Sequence, residues 1–61
     1  MQDSNMIYAK FHMVGPPSVI GYFDPTMDIV SSFLPIYDKP GKQVGAVLIA
    51  AIVYIEFLVA E

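Results

Sequence analysis

The sequence predicts an all-α membrane protein, with a single C-terminal transmembrane helix, a short amphipathic helix and an otherwise irregular N-terminal segment. Three observations carry that expectation. The run VGAVLIAAIVYIEFLVA, from Val44 to Ala60, is seventeen residues long and holds one ionisable side chain, Glu56. As a helix it would span roughly 25 Å, near the lower limit for crossing a hydrocarbon core of about 30 Å. It shows no polar face before Tyr54, whereas a water-exposed helix repeats one every third or fourth residue. Finally, a chain of 61 residues has little else with which to surround such a segment.

In chain order, residues 1–23 are expected to be an extended, irregular segment that binds a partner. Met1 to Asn5 is polar and acidic and reads as a loose terminus. Met6 to Val14 fits neither period cleanly. Alternation places Met6, Tyr8, Lys10 and His12 on one side and Ile7, Ala9, Phe11 and Met13 on the other, a weak strand signal. Gly15-Pro16-Pro17 stops any regular element, because successive prolines fix φ and remove donors.

Residues 24–35 are expected to form the amphipathic helix. Asp24 is placed to cap it, Pro25 suits the first helical position, and Asp28 sits near the positive end of the dipole. Met27, Ile29, Val30, Phe33 and Leu34 recur at three- and four-residue spacings, and Pro35 ends the element. Residues 36–43, with a proline, a glycine and three charges, read as a turn into the membrane helix at 44–60. Tyr37 suits the interfacial aromatic belt and Lys42 can reach the headgroups.

All three lysines (Lys10, Lys39, Lys42) precede the apolar run, and a carboxylate, Glu61, follows it. The positive-inside bias then puts the N-terminus on the cytoplasmic, matrix or stromal side of a single-pass protein. That membrane would be a bacterial inner, thylakoid or inner mitochondrial one. The net charge of −3, with no arginine, excludes a counterion-displacing nucleic-acid binder. Absence of cysteine excludes disulfides, thiolate ligands and a thiol nucleophile, and one histidine makes no metal site by itself. No phosphate loop, zinc spacing or triad can be assembled, so no catalytic, metal-binding or cofactor residue is assigned. The chain is expected to be non-catalytic, to hold no cofactor of its own, and to lie at most beside pigments or lipids of a host.

Phe23-Asp24-Pro25 before an apolar helix resembles the start of bacterial light-harvesting α polypeptides, although the pigment-ligating histidine of that family has no counterpart here. Tyr22 to Pro35 is similar to the K subunit of photosystem II, with a charged turn where that family's span follows. Neither resemblance carries a function across.

The expected function is an accessory single-span subunit of a large energy-transducing complex, photosynthetic or respiratory. Its partners would be larger membrane-protein subunits and the bilayer, with no nucleic acid. Tyr8, Phe11, Tyr22, Phe23 and Phe33 are the expected aromatic anchors on those subunits. Ala46 and Ala50 form a small-xxx-small pair for close helix approach, and Glu56 is expected to face protein. The competing reading is a self-associating structural membrane peptide, a virion coat or a helix-pairing regulator.

Overall fold

A computed structural model describes residues 5–59 of the chain. The expected loose terminus at 1–4, with residues 60 and 61, lies outside the described residues.

Alternation in the first apolar stretch produces strand β1, Ile7–Met13. It buries Ala9 and Phe11 completely and packs Met13 against the same core, while Tyr8, Lys10 and His12 take the opposite face. Gly15, at φ 81°, begins the reversal through Pro16 and Pro17, whose mutual peptide bond is cis. Strand β2, Val19–Phe23, returns antiparallel to β1, pairing Ile7 with Phe23, Ala9 with Gly21 and Phe11 with Val19. Gly21 is needed there, because a Cβ would collide with the side chain of Ile36 from the next strand.

A loop over residues 24–32 leads to β3, Phe33–Tyr37, which contributes buried Leu34 and Ile36. Pro35 lies inside this strand and has no N–H to offer. The ladder between β2 and β3 is correspondingly sparse, with the one pair Tyr22–Tyr37. Asp38 builds the following turn: its carboxylate accepts from the backbone N–H of Gly41 (3.1 Å) and of Lys42 (2.8 Å). Gly41 takes φ 99°, a left-handed conformation that glycine adopts without a Cβ penalty. Strand β4, Gln43–Leu48, then runs back along β3 and buries Val47. A three-residue 3-10 turn, Ile49–Ala51, passes into β5, Ile52–Phe57, which pairs with the far side of β1.

The result is a five-stranded antiparallel sheet in the order β4-β3-β2-β1-β5. Its two edge strands are consecutive in sequence, and that fixes its shape. At about 4.8 Å per strand, the edges of a flat sheet would lie roughly 19 Å apart. The four steps from Leu48 to Ile52 reach at most about 14 Å fully extended, and a 3-10 turn reaches less. The sheet must therefore curl, and the core collects on the concave side. Ala9, Phe11, Leu34, Ile36 and Val47 are buried there, with Met13, Val19, Phe23, Ile49, Ile52 and Ile55 packed around them. Two main-chain bonds hold the turn against the sheet, Ile49 N–H to Ser32 O and Val14 N–H to Ala51 O, 2.9 and 2.8 Å.

This architecture corrects the all-α expectation. Among the described residues no helix is long and apolar enough to cross a membrane. The run at 44–60 instead supplies β4, the 3-10 turn and β5, so the single-span assignment, its orientation and the accessory membrane-subunit function lose their basis. Seven of its seventeen residues are β-branched (Val44, Val47, Ile49, Ile52, Val53, Ile55, Val59), a composition that packs better on a pleated sheet than on a helix. The amphipathic helix at 24–35 is also absent: Asp24 starts a turn, and Phe33, Leu34 and Pro35 belong to β3. Segment 22–35 thus runs strand, loop, strand, and has no helix to share with either photosynthetic family. Among the described residues, those before Val44 supply four of the five buried side chains.

Candidate functional site

Strand periodicity decides which side chains meet on the convex face. Tyr8 pairs with Tyr22 across β1 and β2, and Tyr22 with Tyr37 across β2 and β3. His12 pairs with Tyr54 across β1 and β5. All four tyrosines of the chain therefore lie on one face, although 14 to 17 residues separate each from the next.

Two clusters result. In the first, the rings of Tyr8 and Tyr22 lie 4.7 Å apart at 33°, and Tyr37 extends the row. Together with Ile20, Gly21, Asp38, Lys39 and Val44 they line an open groove of about 370 Å³. Its floor is aromatic and aliphatic, with tyrosine hydroxyls as polar handles. The Asp38 carboxylate is engaged by the turn it builds. In the second cluster the His12 ring stacks on Tyr54, centroids 4.0 Å apart and planes within 9°. One His12 ring nitrogen, Nε2, lies 2.9 Å from Glu56 Oε1, and Lys10 is the direct cross-strand neighbour of Glu56. The Glu56 side chain is half exposed, so the contact with His12 adds on the order of 1 kcal/mol or less.

The expected anchor residues are distributed between two faces. Tyr8 and Tyr22 belong to the groove. Phe11 is in the core, with Phe23 edge-on to it at 5.4 Å and 74°. Phe33 is exposed at the start of β3. Ala46 sits on edge strand β4 and Ala50 in the 3-10 turn, so they share no helix face. Glu56 holds His12 rather than facing a lipid-buried neighbour. Asp24 accepts from the Thr26 hydroxyl (2.7 Å) and the Thr26 N–H (2.9 Å), closing a local turn rather than capping a helix. These two bonds, the hydroxyl first, lower its pKa from the ordinary 3.8.

Sequence reasoning did not single out Ile20 or Tyr54, nor join Tyr37 to Tyr8 and Tyr22. The meeting of the tyrosines depends on strand register, which no local spacing encodes. Among the described residues, His12 and Glu56 are the side chains placed for proton transfer, and Tyr54 covers one ring face of that histidine. Among the described residues no three His, Cys, Asp or Glu side chains converge as metal ligands would. No family model, curated protein or solved structure matches the chain.

Proposed function

We propose that this chain is a non-catalytic binding module that takes an extended, proline-containing peptide segment of a protein partner across Tyr8, Tyr22 and Tyr37. The row of cross-strand tyrosines over an open groove is the observation that carries the reading. Tyrosine offers a flat apolar ring with a hydroxyl at its rim, the combination that recognises polyproline segments. Such a segment is already extended and loses little entropy on docking. An open groove suits a chain lying along it better than an enclosed small molecule. A single nucleic-acid strand also stacks on aromatic rings, but net charge −3 repels its phosphates. The module needs no cofactor for this role.

The test is titration of isotope-labelled protein with a proline-rich peptide and, separately, with oligothymidylate, following amide shifts. Binding of the peptide should move Tyr8, Ile20, Tyr22 and Tyr37. Tyr37→Ala should weaken it about tenfold or more, as loss of an interface anchor does. Shifts confined to other residues, or tighter binding of the oligonucleotide, would overturn the reading.

A further inference from the structure

The chain is acidic, yet its positive charges are not spread evenly around the sheet. It has three lysines and no arginine. Lys10 pairs with Ile20 across β1 and β2 on the convex face, two residues along from the Tyr8–Tyr22 pair. Lys39 lines the groove together with the same Ile20, and exposed Lys42 closes the turn that follows. Carrying the Tyr22–Tyr37 register on by two residues sets Lys39 level with Ile20. A basic row, Lys10, Ile20 and Lys39, therefore runs beside the aromatic row, Tyr8, Tyr22 and Tyr37, about 7 Å from it.

The acids nearest that row are engaged by other groups. Asp38 accepts from the main-chain N–H of Gly41 and Lys42. Glu56, the other cross-strand neighbour of Lys10, gives one carboxylate oxygen to His12. On the far side of the tyrosines, β2 runs out through Phe23 to Asp24, and Asp28 follows in the same loop. The two flanks of the aromatic row thus carry opposite signs.

Spacing completes the match. From β1 to β3 is two strand steps, about 9.6 Å. A polyproline helix repeats every three residues, about 9.3 Å. Laid across the strands along the tyrosines, it sets every third residue over Tyr8 and Tyr37, and the residue beside each faces Lys10 and Lys39. We infer that the segment taken by the groove is acidic as well as proline-containing, with a glutamate or aspartate beside each proline at three-residue intervals and its carboxylates on Lys10 and Lys39. This rests on the reading of the tyrosine row as a peptide site. Charge then fixes the direction of the bound segment, because the reverse direction would turn its acids toward Asp24. Two lysines are enough for two carboxylates, whereas a nucleic-acid strand brings a phosphate with every nucleotide.

Three capped peptides, each a threefold repeat of Pro-Glu-Ala, Pro-Gln-Ala or Pro-Lys-Ala, test this when titrated into the isotope-labelled full chain. The glutamate peptide should bind about three- to tenfold more tightly than the glutamine peptide, the range two exposed ion pairs give. The lysine peptide should bind most weakly, and added salt should erase the differences. Lys10→Gln and Lys39→Gln should each weaken the glutamate peptide about two- to threefold and leave the glutamine peptide as it was. Dispersed amide spectra verify that both variants fold, and Lys39 is exposed on its turn. Equal affinity of the glutamate and glutamine peptides, with both moving the amides of Tyr8, Tyr22 and Tyr37, would overturn the inference and leave the peptide site standing. A preference for the lysine peptide would do the same. If none of the three moves those amides, the site falls and the inference with it. Oligothymidylate bound there more tightly than the glutamate peptide would overturn both in favour of a nucleic-acid strand.

Discussion

Strands β1 and β5 lie side by side and are both rich in apolar residues, yet they end in different environments. β1 has a neighbour on each side, and its Phe11 is wholly buried; β5 has one neighbour, and its Phe57 is 69% exposed. The difference teaches that hydrophobicity along a strand does not by itself set burial. Position in the sheet sets it, because only a central strand is covered laterally while the curl closes over its concave face. At the other edge β4 likewise leaves Val44 and Leu48 outside, and it buries Val47 because that side chain faces the concave core.

The sharpest way to break this comparison is to truncate one phenylalanine from each strand. Phe11→Ala should cost about 3–5 kcal/mol. A domain of this length has roughly 3–9 kcal/mol in all, so most of its stability would be lost. Phe57→Ala should change stability by about 0.5 kcal/mol or less, as exposed substitutions do. Urea unfolding of dilute protein measures both, and equal losses would mean that centre and edge are not distinct.

Glycines give the next largest contrast. Gly21→Ala, in the central strand β2, forces a methyl against Ile36 and should destabilise by about 1–3 kcal/mol. Gly45→Ala, on edge strand β4, meets no atom within 4 Å. It should be neutral or stabilise by up to about 1 kcal/mol through the unfolded chain. Thermal unfolding of the two variants gives the sign of each. A tolerated Gly21→Ala would show that β2 and β3 separate more easily than their packing implies.

The smallest effect belongs to the 24–32 loop, which lies outside the strands and the buried core. Asp24 is only partly exposed, and its pKa is lowered by the hydroxyl and the N–H of Thr26. A lowered folded pKa means that ionised Asp24 favours the native state above the ordinary carboxylate range. That contribution disappears as pH falls through the folded value. Asp24→Ala should therefore lower stability slightly at neutral pH, and the difference from wild type should shrink as pH falls toward 3. Parallel melting curves for the two proteins from neutral pH to pH 3 would show that the Thr26 bonds contribute nothing.

Several features were legible before any coordinates. The two faces of Met6–Val14 appear in the sequence as an alternation, and β1 occupies Ile7–Met13 within it. Gly15-Pro16-Pro17 marks a break, and residues 36–43 a turn whose outer residues the structure gives to β3 and β4, because proline and glycine act through their own φ preferences. Asp24 is recognisable as a side chain that bonds nearby amides, though its partner is a turn rather than a helix. The tyrosine groove was not legible, since Tyr8, Tyr22 and Tyr37 come together only through register.

By itself, then, the sequence determined the punctuation of the chain, its acidic balance and the absence of cysteine chemistry. What only the tertiary structure decided is the form of residues 44–59. An uninterrupted apolar run satisfies a helix in lipid as readily as two strands in a curled sheet, because apolar residues on both faces leave no periodicity to tell them apart. In the fold, β3 covers one side of β4 and β1 covers one side of β5, and the 3-10 turn at Ile49–Ala51 separates them. The apolar residues left outside on Val44, Val53 and Phe57 follow from that placement and from no property of the run alone.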